Sequence, residues 1–259
     1  MNELISKLAV IDPSAKLAAN VTVGHFAVIG PKVEIGEGTI VGPHAIIMGP
    51  TTIGKNNHFY QFSSTGEDCQ DKKYHGEATR LEIGDNNVFR EGCTIHRGTV
   101  QGGGVTTIGS NNLFMVNTHV AHDCIIGNNV IFSNNAAIAG HVQVGDYASL
   151  GGFVGVHQFC TIGAHSFAGG GSMIMKDVAP FVRVFGNPAQ VHGLNTVGLS
   201  RREFTTDMLS ALKQAYKIVF RTSVTVKEAV AKLNELIAEF PEIVIMRDFL
   251  EKSERGITR

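Results

Sequence analysis

The stretch Val120-Ala121-His122-Asp123-Cys124-Ile125, Ile126-Gly127-Asn128-Asn129-Val130-Ile131, Phe132-Ser133-Asn134-Asn135-Ala136-Ala137 falls into three sixes. Each opens on a large apolar residue and carries a small or β-branched residue in fifth place. The same phase runs upstream from Ile11 to Phe59, resumes at Ile83, Phe89 and Ile95, and continues from Ile108 to Ile174, with only Thr65 and Ala168 breaking the large-apolar rule. A short fixed period marks a solenoid, and a six-residue period marks a parallel β-helix. Each six supplies a short strand and a turn, and three sixes close a triangular coil. First-position side chains fill the interior, and coils stack at about 4.8 Å. Glycine recurs in second place (Gly24, Gly36, Gly84, Gly109, Gly127), where it is expected to permit the corner. Asn57, Asn87 and Asn112 share a column, where an amide ladder is expected. The class is mainly β, and the pattern leaves the hand of the helix open.

Composition narrows the function. The chain has 259 residues, 43% of them hydrophobic, and a formal net charge of -1. A nucleic-acid partner would demand a basic excess that is absent. Residues 1–15 lack an apolar h-region and no stretch is long enough to span a bilayer, so a soluble, cytoplasmic protein without a membrane span is expected. Cys69, Cys93, Cys124 and Cys160 match no zinc spacing and suggest no disulfide framework, so free thiols are expected.

Residues 1–188 read as the solenoid, interrupted by insertions at 67–82 and 101–107. Both leave the frame after a third side, hence at one corner, and such loops mark a functional face. Residues 189–259 turn to helical spacing at Met208, Leu212, Ala215, Ile218 and Val219. Thr225 is placed to cap a second helix and Pro241 to open a third. A helical domain of this kind caps an open solenoid end.

The frame makes His122 the third residue of a third side. Eighteen residues on lies Gly140, and Gln158 follows after another eighteen; Arg97 fills the column one coil earlier. His96, Asp123, His141 and His157 stand beside that column, with His119 at the preceding corner. The first insertion adds Asp71, Lys73 and Tyr74, a polar set suited to a sugar or phosphate. Such a gathering fits a general base with helpers, or a metal site. A flat prism face is a poor pocket, so a cyclic oligomer with sites between subunits is expected. Arg201 and Arg202 head the best local basic surface.

The segments Ile95-His96-Arg97-Gly98-Thr99-Val100-Gln101, His119-Val120-Ala121-His122-Asp123, Ala139-Gly140-His141-Val142 and Val156-His157-Gln158-Phe159-Cys160, with Gly186-Asn187-Pro188 and Glu254-Arg255-Gly256-Ile257, resemble the UDP-N-acetylglucosamine O-acyltransferase family. The resemblance covers the whole chain. It implies a left-handed parallel β-helix with a C-terminal α-helical domain, and a homotrimer. It also implies transfer of an R-3-hydroxyacyl group from acyl carrier protein to the glucosamine 3-hydroxyl of UDP-N-acetylglucosamine, the first step of lipid A synthesis, with no cofactor and no metal. By the same resemblance His122 is the general base, Asp123 its orienting acid, and Gly140 an oxyanion donor. Asp71, Lys73, Tyr74, His96, His119, His141 and Gln158 are substrate-site positions, and Asn195, Arg201 and Arg202 lie near the nucleotide. Gly170 sets the depth of the acyl groove, with Phe167 and Pro188 along it. The chain departs from many members at Pro188 and Val197, where those carry histidine and glutamate.

Three rivals remain. A zinc lyase resembling γ-class carbonic anhydrases also gathers histidines between β-helical subunits. A non-catalytic scaffold would leave the paired insertions without purpose. The related N-acyltransferase would carry an extra N-terminal domain.

Overall fold

The computed structural model describes residues 4–222 and 224–259. Short strands stack into three sheets of nine, eight and ten strands, parallel except for one terminal pair, as the faces of a left-handed triangular β-helix. First positions pair in register up the nine-stranded sheet: Ile29 with Ile47, Ile47 with Thr65, Thr65 with Ile95, Ile95 with Val120, and Val120 with Ile138. The first-position ladder thus keeps its register across both insertions, with a local bulge between Thr65 and Glu67 where the first one leaves.

First-position residues fill the interior as expected, and in the ten-stranded sheet they include a phenylalanine column. Phe59, Phe89, Phe114 and Phe132 follow at centroid separations of 4.7, 5.0 and 5.1 Å. These spacings match the strand separation, so each ring meets the next at van der Waals distance. The fifth-position residues Ala27, Val33, Thr39, Cys93, Cys124, Ala136 and Cys160 are all buried.

The amide ladder is present. Asn87 Nδ2 donates to Asn57 Oδ1 at 3.0 Å and to the Gly109 carbonyl at 2.9 Å, while Asn87 Oδ1 accepts from the Asn112 backbone N–H at 2.9 Å. The glycine expectation needs correcting. The left-handed corner conformation belongs to fourth-position residues, among them Asn56 (φ 54°), Asn129 (φ 57°), Phe159 (φ 63°) and Asp123 (φ 59°). Second-position glycine is required instead by the adjoining coil, since a Cβ on Gly36 would stand 2.5 Å from the Gly54 carbonyl carbon.

The first insertion is shorter than the repeat suggests, and the second begins earlier. Strands Ser64–Glu67 and Arg80–Ile83 confine the first to residues 68–79, and strands Thr94–His96 and Val105–Ile108 bracket the second at residues 97–104. Beyond residue 188, strand Ala189–Leu194 pairs antiparallel with Val182–Gly186 and extends the ten-stranded sheet before any helix begins. Helices α1 (Thr196–Ser200), α2 (Thr206–Phe220), α3 (Val226–Ile237) and α4 (Val244–Lys252) follow. Thr225 caps α3 in a reciprocal box with Glu228, and Pro241 opens a short 3-10 turn that leads into α4. Leu199, Met208, Leu212, Leu233, Met246 and Leu250 form a second core around Phe181, which ties the helices to the last coils. All four cysteines are free and buried.

Candidate active site

His122 and Asp123 occupy the corner that leads from the nine-stranded to the eight-stranded sheet. The left-handed turn at Asp123 brings successive side chains together, with His122 Nδ1 and Asp123 Oδ2 2.7 Å apart. The carboxylate is almost wholly enclosed, its side chain 1% exposed against 16% for His122. It accepts from the Thr99 N–H at 2.7 Å and from the Thr99 hydroxyl at 2.6 Å, and its own backbone N–H donates to Thr106 Oγ1 at 2.8 Å. A carboxylate only accepts, so the proton in the His122 contact sits on Nδ1. The Nε2 lone pair of a neutral ring is then free to take a proton.

Gly140, one coil on, lies against that ring. A Cβ there would meet His122 Cε1 at 2.5 Å and Nε2 at 2.7 Å, so any larger residue would displace the imidazole. Its neighbours Ala139 and His141 commit their N–H groups to the ladder, while the Gly140 N–H has no acceptor among the described residues. His141 packs edge-on to His122 at 5.1 Å, lies flat on Phe159 at 4.4 Å, and holds Nε2 3.7 Å from Asp123 Oδ2.

His96 and His119 meet edge to face at 5.1 Å, and His119 Nδ1 bonds the Thr94 hydroxyl at 2.8 Å. Burial pushes His96 down to about 4, helped by His119 and His122 nearby, and it lowers His119 and His141 as well. Burial thus favours the neutral form of these rings, which can hydrogen-bond a polar substrate. Arg97 is buried and clamps the first insertion to the coil, bonding the Gly66 carbonyl, Asp68 and, at 3.4 Å, the Tyr74 hydroxyl. Tyr74 in turn donates to the Glu77 carbonyl at 3.0 Å. Lys73 projects into solvent and its N–H donates to Asp71 Oδ1 at 3.0 Å. Gln158 is exposed one coil beyond Gly140, where its carbonyl engages His157 Nδ1 at 3.1 Å.

One chain does not assemble every candidate residue. Tyr147, whose corner leads from the eight-stranded to the ten-stranded sheet, carries a second group. Arg202 lies over the Tyr147 ring at 5.0 Å and donates to its carbonyl at 2.9 Å, leaving guanidinium Nη1 buried with no hydrogen-bond partner among the described residues. Asn195 is buried, caps α1 and donates to the His165 carbonyl at 2.9 Å, while Arg201 is exposed. Further along, Gly170 faces outward and a Cβ there would meet only the Gly152 backbone, no closer than 3.3 Å. Phe167 packs edge to face with Phe185 at 5.9 Å, and Pro188 is exposed in the hairpin turn.

Several neighbours are given no role in the site by sequence alone: Thr99, Phe159 and Arg255, which stand in the resembling segments, and Thr106 and Asp68. A cleft of about 690 Å³ opens beside Asp123, His141 and Phe159 and reaches Lys252 and Arg255 of the C-terminal tail. The tail is held there by Asp177, which accepts from the Ser253 hydroxyl at 2.7 Å. The run Gly102-Gly103-Gly104 was the available turn signal for this loop.

The left-handed β-helix of hexapeptide repeats, with a histidine–carboxylate pair on one corner, is the architecture of the hexapeptide-repeat transferases. Residues 106–140 match the bacterial transferase hexapeptide model, and residues 177–258 match the model described as UDP-N-acetylglucosamine O-acyltransferase, domain 2. The acyl-[acyl-carrier-protein]–UDP-N-acetylglucosamine O-acyltransferase of Stutzerimonas stutzeri is 58% identical over 256 residues, 99% of each chain. The solved LpxA structure from Acinetobacter baumannii superposes with a TM-score of 0.97 at 48% identity, covering 99% of this chain and 100% of that one. The Arabidopsis UDP-N-acetylglucosamine acyltransferase does so at 0.84 and 35%, covering 99% and 100%. The chain belongs to the UDP-N-acetylglucosamine O-acyltransferase family. Among the described residues no helix is long and apolar enough to cross a membrane.

Proposed function

We propose that this chain transfers an R-3-hydroxyacyl group from acyl carrier protein to the glucosamine 3-hydroxyl of UDP-N-acetylglucosamine, the first step of lipid A synthesis, in the cytoplasm. The observation that carries the chemistry is His122 Nδ1 held 2.7 Å from the enclosed Asp123 carboxylate, with Gly140 against the same ring. A sugar hydroxyl is a weak nucleophile, so His122 Nε2 removes its proton as the oxygen attacks the thioester carbonyl. Asp123 fixes the tautomer and stabilises the imidazolium that forms. The uncommitted Gly140 N–H meets the tetrahedral oxyanion. On collapse, His122 returns the proton to the leaving thiolate of the carrier. Asp71, Lys73, Tyr74, His96, His119, His141 and Gln158 line the sugar and acyl-donor side of the site.

Asn195, Arg201 and Arg202 sit at a different corner from His122. A homotrimer that sets one chain's histidine corner against its neighbour's Arg202 corner would unite the two sets in a cleft between subunits. The acyl chain then runs along the outward face past Gly170, Phe167 and Pro188.

A zinc reading has one observation in its favour: ligand atoms of His122, Asp123 and His141 lie within 4.8 Å of one another. Against it, the Asp123 oxygens already accept two bonds from Thr99 and one from His122. Turnover in a chelator is expected to equal turnover without it; loss on chelation and recovery with zinc would reverse the choice. For the base, His122→Ala is expected to cost several orders of magnitude in kcat with the fold intact. Near wild-type turnover of the purified variant would refute it. The assay uses UDP-N-acetylglucosamine and 3-hydroxyacyl carrier proteins, with products read by mass.

A further inference from the structure

The second insertion wraps a carboxylate. Thr99 offers Asp123 both its N–H and its hydroxyl, one to each carboxylate oxygen. The hydroxyl also lies 3.3 Å from the Gly102 N–H, which donates to it. With that lone pair occupied, the Thr99 proton is directed at Asp123 Oδ2, the oxygen that holds His122. Gly98 and Gly102 complete the enclosure: a Cβ on Gly98 would stand 2.8 Å from Asp123 Oδ1, and one on Gly102 would overlap the carboxylate itself. The short turn Val100–Gly102, closed by Gly103 in the left-handed region at φ 91°, sets the path of this loop.

We infer that the second insertion is a cradle for the Asp123 carboxylate and that Thr99 is a positioning residue, acting on the reaction only through the Asp123–His122 pair. This rests on the general-base role of His122. The Thr99 hydroxyl occupies one side of Oδ2, so the carboxylate can face His122 Nδ1 in only one orientation. Without it, Asp123 keeps its backbone donor and turns about that bond, and the imidazole loses its fixed bearing. Thr99 is buried behind the carboxylate, so its loss should leave substrate binding intact.

Thr99→Val removes the hydroxyl and keeps both shape and N–H. The expected result is a fall in kcat of about 10- to 100-fold with KM unchanged, the rate equivalent of one hydrogen bond to a charged group. Thr99→Ser should restore most of it, since serine carries the same donor. Gly102→Ala, which crowds the carboxylate from the other side, should also lower kcat without raising KM. The deciding measurement is a double-mutant cycle. In a His122→Ala background, with its low residual rate, Thr99→Val should cost nothing further. Wild-type kcat in Thr99→Val, an equal loss in both backgrounds, or a loss confined to KM would each overturn the inference. Should Thr99→Val fail to fold, Thr99→Ser with wild-type kcat beside impaired Gly102→Ala supports the cradle, and unimpaired Gly102→Ala overturns it. Full activity in His122→Ala alone would instead remove the general-base reading.

Discussion

His165 shows how a single side chain sets a response of the whole fold. It lies between Tyr147 at 4.8 Å and Phe181 at 5.4 Å, and its Nδ1 is buried with no hydrogen-bond partner among the described residues. Burial, with Arg202 nearby, pushes it down to about 4, as burial does His96. Both groups titrate near 6.5 in the unfolded chain. Between those values the unfolded chain binds protons that the folded chain refuses. Stability is therefore complete above about pH 6.5 and falls as pH drops toward 4. His165→Phe should remove its share of that fall, on the order of 2 kcal/mol. The left-handed corner accepts phenylalanine, since Phe153 and Phe181 already adopt it at φ 60° and 66°. Thermal melts at pH 4.5 and 7.5 would check this: a variant as acid-sensitive as the parent would show that His165 carries none of it.

Among the elements, the ladder of amides and the acyl face each allow a test. Asn87→Ala leaves the Gly109 carbonyl and the Asn112 N–H without their side-chain partners, so it should cost about 2–5 kcal/mol in denaturant unfolding. A loss under 1 kcal/mol would mean water replaces the amide. Gly170 leaves the outward face open, and the proposed groove should favour 3-hydroxydodecanoyl or 3-hydroxytetradecanoyl over 3-hydroxydecanoyl donors. Each buried methylene contributes about 0.8 kcal/mol, so two shift selectivity by about tenfold. Gly170→Met should turn the preference toward the shorter donor; an unchanged preference in competition assays would take Gly170 out of the ruler. The strands and this column were legible because every coil obeys one period. The role of second-position glycine was not, because it depends on the adjoining coil's backbone and leaves no trace in a single hexad. Thr99 was hidden for a related reason: an insertion abandons the period, and only the path of its loop reveals which atom it meets.

For the molecule as a whole, the frame alone brought His122, Asp123, Gly140 and His141 to one place, since their spacing is the coil itself. It could not place Asn195 and Arg202, whose positions depend on how the helical segment packs on the last coils. Their separation from His122 within one chain makes subunit complementation a direct test. His122→Ala and Arg201→Ala chains, each impaired alone, should regain activity when mixed trimers are formed from both, because some clefts then combine two intact halves. Light scattering should give three times the 27.8 kDa of one chain. A monomer, or mixed assemblies no more active than either parent, would place each site within a single subunit.

The corner that holds Asp123 is a conformation the solenoid repeats turn after turn. Asp123, His141 and Phe159 share it at φ 59°, 62° and 63° on successive coils. A histidine–aspartate pair could be written into any of these corners without asking the backbone for a new shape. The chemistry on this scaffold is thus portable, and moving it would mean steps of one coil, about 4.8 Å, along the axis. What gives it an address is the loop around the carboxylate: the repeat supplies interchangeable sockets, and the second insertion decides which of them is live.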